Sequence, residues 1–357
     1  MLDYLAERKA AIADYLSRYI REECLPVFED QQFGPDVAER LVDFAARGKM
    51  IRGGLVFYGA ELYGVRETSP ALIRLAAVME LLQSFLLIHD DIMDRDRLRR
   101  GKPSIYAQYD DLGRAEGIED HLHFGESLGI CTGDVAIFIA TGIIADSQIP
   151  DEYRQPLLAS VSREIARVGL AQMGDVYHGV SHRDITEESV IDVYRYKTGR
   201  YTFSLPLVCG AILSGAPPAD RELLGRIGEG LGIVFQIKDD QLGLFGTEEE
   251  IGKTVGSDIV ADKKTLYRIF LYNAADEKTR TRLDTIFGNP SPAAGEINEV
   301  LELIHTFGVD EMVSDRLNRY AARTRELIQN EDSLQNMPAH GRKMLEDLLD
   351  FNLSRSA

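Results

Sequence analysis

The sequence predicts an all-α protein, a large helical bundle of about ten or more helices joined by short loops. Three observations predict it. Apolar residues recur at helical intervals in nearly every long segment, and sustained strand-like alternation is scarce. The 357 residues, 45% hydrophobic, are also enough to bury a sizeable core. Length alone suggests roughly two domains. With 12 prolines and no Pro/Ser-rich linker, residues 1–357 are expected to form a single domain around one central cavity.

The elements follow in chain order. In "PALIRLAAVMELLQSFLLIHDDI", Leu72, Leu75, Ala76, Met79, Leu82 and Leu86 recur at steps of three and four. "DEYRQPLLASVSREIARVGLAQMGDVYHG" and "DRELLGRIGEGLGIVFQIKDDQLGLFG" repeat the pattern. "INEVLELIHTFGVDEMVSDRLNRYAARTRELI" and "HGRKMLEDLLDFNL" carry it more weakly. Gly/Pro/Asp clusters punctuate at 110–120, 214–220 and 288–296.

A formal net charge of -18 disfavours nucleic acid and anionic membranes as general partners. Cys24, Cys131 and Cys209 are far apart and form no CxxC, which fits a reducing cytoplasm. The first 23 residues show no apolar signal core. The longest apolar run, 135–145, is too short to span a bilayer, so no stable membrane anchor is expected.

The chemistry concentrates in "HDDIMD" and "KDDQ". Asp90 and Asp94 stand four apart, one turn apart on one helical face, with Asp91 between them and Gln83 two turns earlier. Asp239 and Asp240 end a second apolar helix, and Gln236 lies one turn before Asp240. Aligned carboxylates repel unless a cation sits among them. Two such helices facing each other would wall a cavity with hard oxygen ligands suited to Mg2+, which takes one or two carboxylates together with water and substrate phosphate. Cationic groups that could meet a diphosphate also cluster. They are Lys49 with Arg52, three apart and on one face if helical; Arg99 with Arg100; Lys197 beside Thr198; and Lys253, Lys263 and Lys264. A plainer reading of Arg99 and Arg100 is compensation of a helix C-terminal dipole.

Taken in order, "GKMIR", "ELLQSFLLIHDDIMD…RRGKPS", "GLAQMGDV", "YKTG", "FQIKDDQLGLFG" and "GKTVGSDIVADKKT" resemble the motifs of the trans-isoprenyl diphosphate synthases, or polyprenyl synthetases. The resemblance runs from about residue 48 to 266. It implies an isoprenoid-synthase fold, a homodimer, and Mg2+-dependent joining of isopentenyl diphosphate to an allylic diphosphate. Asp90, Asp94 and Asp239 match metal ligands, with Asp91 and Asp240 supporting. Lys49, Arg52, Gln83 and Arg100 match the isopentenyl diphosphate pocket. Arg99, Lys197 and Lys253, with Lys263 nearby, match groups that hold the allylic diphosphate. Thr198 and Gln236 match oxygens near the developing cation, and Gln172 and Asp175 match cavity-lining positions.

The chain departs from the pattern at three places. Gly243 stands where many members carry a third aspartate, Arg47 interrupts a double glycine before Lys49, and Tyr106 replaces a histidine. The expected chemistry is ionisation of the allylic C–O bond, attack by the isopentenyl double bond, and proton loss, with water excluded. Phe85, five before Asp90, with Leu86 beside it, resembles the chain-length floor of geranylgeranyl synthases. A twenty-carbon product is expected, with farnesyl diphosphate the close alternative.

A terpene cyclase would need a different second metal motif and no second basic pocket. A non-catalytic regulatory subunit would be expected to lose acidic ligands that this chain keeps. His121 with His123, and His178 with His182, are set aside as zinc ligands in favour of solvated loop positions, and His89 reads as a structural neighbour of the acids.

Overall fold

The computed structural model describes residues 2–146, 148–180, 185–246, 256–330, 334 and 336–355. In order they form α1 Leu2–Tyr19, a π turn Ile20–Cys24, α2 Leu25–Phe28, α3 Gly34–Ala46, α4 Ile51–Glu61 and α5 Pro70–Met93. Then come strands β1 Leu98–Arg99 and β2 Lys102–Pro103, α6 Ile105–Ala115, α7 His121–Ala145, α8 Asp151–Val180 and α9 Glu187–Val193. A π-helical segment Tyr194–Ser204 leads into α10 Leu205–Leu213 and α11 Pro218–Phe245. The chain continues through α12 Ser257–Val260, α13 Leu266–Ala274, α14 Glu277–Ile286, α15 Ala294–Thr306, α16 Val309–Gln329 and α17 Ala339–Ser354. The all-α expectation holds: among the described residues the strand pairing is the ribbon Leu98↔Pro103, Arg99↔Lys102.

The chain divides into two compact units. One comprises Met1–Val161 with Pro206–Ala216, the other Ser162–Leu205 with Pro217–Ala357. One boundary falls inside α8 and another beside the start of α10.

In the first unit α5 is the central helix. Ser69 caps it by accepting the Leu72 N–H at 3.2 Å, and Pro70 supplies a preset φ at its first position. Leu72, Leu75 and Ala76 to Leu82 are buried, against α1, α4 and α7. Asp120 starts α7 in the same way, accepting from His123 N at 3.2 Å. Windows of α5 and α7 are long and apolar enough to cross a membrane by composition, because isolated polar residues interrupt the uninterrupted runs on which the sequence expectation relied. In the α5 window 61% is buried inside the protein, and in the α7 window 44%.

In the second unit α11 lies against the π-helical segment and against α16 and α17. The crossing with the π segment is backbone on backbone. A Cβ on Gly232 would sit 2.1 Å from Gly199 Cα, so position 232 cannot carry a larger residue without moving the helices apart. Two sequence expectations need correction here. Residues 110–115, read as punctuation, continue helix α6, and His121 and His123 sit in the first turn of α7 rather than in a loop.

Candidate active site

The first acidic motif occupies the C-terminal end of α5. Asp94 N–H donates to Asp90 O at 2.8 Å, so the two side chains stand one turn apart as the spacing predicts. Asp90 is half-buried and Asp94 exposed. Carboxylates at a helix C-terminus oppose the macrodipole, whose negative end lies there. Three acids in that turn therefore cost helix stability unless a cation sits among them. Asp91 faces inward and is fully buried. Its Oδ1 accepts from Arg99 Nε at 2.6 Å. Burial raises its pKa to about 6 against the opposing pull of Arg99.

The arginines that follow belong to the ribbon β1–β2, not to a helix end, so dipole compensation does not explain them. Arg95 and Arg100 adopt left-handed φ values of 58° and 54°. Such backbone costs on the order of 1 kcal/mol or more per residue and persists where the surroundings over-determine it. The Arg100 guanidinium lies over Gly48, where a Cβ would meet its Nη1 at 3.1 Å. Glycine at 48 thus gives Arg100 its place.

Lys49 is exposed and precedes α4, with Met50 at φ 52° between it and the helix, so Lys49 and Arg52 do not share a helical face. Beneath this basic group lies Glu80, 5% exposed, which the sequence reading passed over. Its Oε1 accepts the Gly53 N–H at 2.7 Å and so closes the start of α4, which has no side-chain cap of its own. Burial raises the Glu80 pKa; the Gly53 N–H and the charges of Arg52 and Arg100 oppose it. Burial likewise lowers the pKa of Arg100, to which the nearby Arg99, Arg52 and Arg47 add. Glu80 is therefore a buried counter-charge for Arg52 and Arg100, while Arg99 pairs with Asp91 and Arg47 with Asp43. A lone acid in the apolar run 75–82 was the signal that could have found it. Glu80→Ala is expected to cost about 1–3 kcal/mol through the orphaned Gly53 N–H. Thermal denaturation checks this. Gln83, Phe85 and Leu86, further along α5, are half-buried, and the Phe85 ring stands edge-on to His89 at 4.9 Å.

In the second unit the structure joins several predicted residues. Lys197 Nζ donates to Asp175 Oδ2 at 2.6 Å. Asp240 is buried and collects three donors: Gln236 Nε2 at 3.0 Å, Lys263 Nζ at 2.9 Å, and the Tyr194 hydroxyl. Burial raises the Asp240 pKa, Lys263 pulls it back, and Asp258 pushes it up further. Asp240 is thus an internal hub.

Asp239, its neighbour, is 48% exposed in its side chain and faces a cation that the chain supplies. Arg355 Nη2 lies 2.6 Å from Asp239 Oδ1, and its guanidinium stacks 3.9 Å over Phe235. Gly243 acquires a reason as well. A Cβ there would stand 3.1 Å from Asp258 Oδ2, so a carboxylate from outside the motif occupies the space where other chains carry a third aspartate. Thr198 and Gln172 are half-buried. Lys253 and His182 lie outside the described residues. Sequence reasoning missed Tyr194, Asp258 and Arg355, all of which enter through tertiary contacts.

Lys197 and Thr198 sit in the π-helical segment, and such segments concentrate at functional sites. Arg200 clamps it, donating to both Glu164 oxygens at 2.8 Å and to Glu229 at 2.9 Å. Among the described residues no group of three or more His, Cys, Asp or Glu converges into a metal cage. At the end of α5 the half-buried Asp90 and exposed Asp94 are hard oxygen donors that fit Mg2+, which completes its shell with water and phosphate, and within α11 the exposed Asp239 is a donor of the same kind.

The polyprenyl synthetase family model matches residues 36–304. A short chain isoprenyl diphosphate synthase of Methanocaldococcus jannaschii is 32% identical over 313 residues, 87% of this chain and 86% of that one. A farnesyl diphosphate synthase of Bacillus subtilis is 31% identical, covering 78% of this chain and 87% of its own. A crystal structure of a geranylgeranyl pyrophosphate synthase from Corynebacterium glutamicum, complexed with isoprenyl diphosphate and magnesium, aligns with a TM-score of 0.85. The two are 27% identical over 98% of this chain and 99% of the other. The matched span contains both acidic motifs and the basic clusters described above, and the chain belongs to the polyprenyl synthetase family, the prenyltransferases that make isoprenyl diphosphates.

Proposed function

We propose that the protein condenses isopentenyl diphosphate with an allylic diphosphate and releases geranylgeranyl diphosphate. Asp90, Asp94 and Asp239 are assigned to Mg2+. The observation that carries the reading is the placement of the half-buried Asp90 and the exposed Asp94 one turn apart at the C-terminal end of α5, with the ribbon bearing Arg99 and Arg100 close behind in the chain. The chemistry a bound Mg2+ supplies is neutralisation of the charge that builds on the departing diphosphate.

Arg99 and Lys197 hold that diphosphate, with Lys253 and Lys263 assigned beside them. Each is already oriented by a carboxylate in the cases of Arg99 on Asp91, Lys197 on Asp175 and Lys263 on Asp240. Preorganised cations of this kind stabilise developing charge without reorganising during the reaction. Lys49, Arg52, Gln83 and Arg100 orient isopentenyl diphosphate, and Thr198 and Gln236 present oxygens to the allylic cation. Gln172 lines the same cavity.

The twenty-carbon product rests on Phe85, which with Leu86 sits one to two turns before Asp90 and is not packed away in the core. Phe85→Ala is expected to shift product to longer prenyl diphosphates, read by chromatography of dephosphorylated products. Unchanged length removes the floor from Phe85. The whole reading is tested by incubating the purified protein with Mg2+, labelled isopentenyl diphosphate and allylic primers of increasing length. Linear prenyl diphosphates support it. Cyclic hydrocarbon would make the chain a cyclase, and turnover only with an added partner would make it a regulatory subunit.

A homodimer is part of the proposal. It is supported by the outward apolar side chains of α7, Ile130 and Phe138, which are 46% and 74% exposed, and light-scattering mass of the same preparation tests it. A cytoplasmic location is supported by Cys24, Cys131 and Cys209 standing outside any disulfide, and cell fractionation tests it.

A further inference from the structure

The ribbon 98–103 has a left-handed arginine before it and another at its turn, and two-residue strands offer little pairing to hold such a backbone. What holds it is side-chain chemistry. Arg97, just before the strand, and Arg99, within it, flank Leu98, which is 66% exposed. Both arginines end on carboxylates whose side chains are wholly buried. Arg99 meets Asp91 on α5, and Arg97 Nη1 meets Asp110 Oδ2 on α6 at 2.5 Å.

Asp110 is a built anchor. It also accepts from His121 Nδ1 at the first turn of α7 and from Arg114 Nη2 at 3.3 Å. Burial alone would raise its pKa, but His121, Arg97 and Arg114 outweigh burial and hold it at about 2. The platform beneath is stiff. Gln108 Nε2 donates to Pro103 O at 2.9 Å, and a Cβ on Gly125 of α7 would stand 2.6 Å from Tyr106 O, so α6 and α7 touch through their backbones. The Ser104 N–H donates to Arg97 O at 2.9 Å and closes the ribbon at its base.

We propose that Arg97 and Asp110 are positioning residues for the diphosphate-binding ribbon: their ion pair fixes the ribbon to the α6–α7 platform and so sets where Arg99 and Arg100 present their guanidinium groups. This rests on the assignment of Arg99 and Arg100 to substrate diphosphates. Neither Arg97 nor Asp110 touches substrate in this scheme.

The test is steady-state kinetics of Arg97→Ala, Arg97→Lys and Asp110→Asn beside Arg99→Ala and Arg100→Ala. Arg97 is 45% exposed in its side chain and the buried Asp110 keeps His121 and Arg114 without it, so its removal should lower Tm only modestly. Loss of the tie should raise KM for both diphosphates about tenfold with a smaller change in kcat, since misplacement by an ångström can cost up to two orders of magnitude. Arg97→Lys should recover most of the loss.

A second readout is independent of turnover. Trypsin should nick Asp110→Asn faster than wild type within 95–102, where the ribbon carries its arginines and Lys102. Unchanged KM values in Arg97→Ala, with raised values in Arg99→Ala and Arg100→Ala, overturn the inference while leaving the site intact. Unchanged values in the last two variants overturn the site assignment itself, and the inference with it. If Asp110→Asn lowers Tm while its ribbon stays resistant to trypsin, the pair is merely structural and the inference falls.

Discussion

Replacing Asp90 with asparagine is expected to lower kcat by about 10²–10³-fold, the usual loss when one preorganised charge-stabilising group is removed. The substitution keeps the shape of the side chain and the α5 backbone, so the effect isolates charge. It should also raise the Mg2+ concentration needed for half-maximal rate, because one hard oxygen ligand becomes a neutral amide. Stability should move the other way. Three acids in the last turn of α5 face the negative end of its dipole, and neutralising one is worth about 0.3–1 kcal/mol in the metal-free protein. A Tm that rises slightly while turnover collapses is therefore the signature sought. Full activity at ordinary Mg2+ concentration would remove Asp90 from the metal site.

The second large effect belongs to Arg200. Its guanidinium grips Glu164, whose side chain is 9% exposed, with both oxygens engaged, and reaches Glu229 on α11. The hydrogen bonds to Glu164 are the main reason its own pKa is raised, and Arg200 in turn lowers that of Glu164 against burial. Arg200→Met leaves the buried Glu164 carboxylate with Arg167, which donates to its Oε1 at 2.8 Å. Removing one partner of a buried pair costs about 3–5 kcal/mol, and the partial exposure of Arg200 together with the contact that Arg167 keeps places this case at or below the lower figure, about 3 kcal/mol. Calorimetry should show Tm falling by several degrees. Because Lys197 and Thr198 share the clamped segment, kcat should fall as well. Adding Glu164→Leu should return much of the lost stability, since an apolar replacement of both partners is often near neutral. If the single variant is as stable as wild type, the clamp is decorative.

Helical periodicity made both acidic motifs legible. The interval of four between Asp90 and Asp94 reports a shared face wherever the helix packs, and the structure keeps it. The long amphipathic stretches became α5, α8, α11, α16 and α17 for the same reason. The spacing of Lys49 and Arg52 gives a shared face only in a continuous helix, and Met50 interrupts it with a left-handed residue. Residues 110–115 were read as a loop because Gly113 and paired aspartates look like punctuation. In the fold, Gly113 gives room to Phe124 and His121 of α7, and Asp110 answers Arg97. Contacts between residues distant in sequence, such as Asp239 with Arg355, leave no local pattern at all. The π-helical segment was equally silent, because helix propensity does not distinguish i→i+4 from i→i+5 hydrogen bonding.

That last segment has an evolutionary corollary. Eleven residues held in wide turns equal an ordinary helix that has taken in extra chain, so its residue count sets the register of the helix that follows. Deleting a single codon anywhere in 194–204 would still leave helix-forming sequence, yet would swing all that follows by about 100°. Tyr201, Thr202, Phe203 and Ser204, now 2–3% exposed, would each be carried out of the packing they now make. Lineages of this enzyme should therefore tolerate substitution here far more readily than a one-residue gap, the reverse of what holds in surface loops.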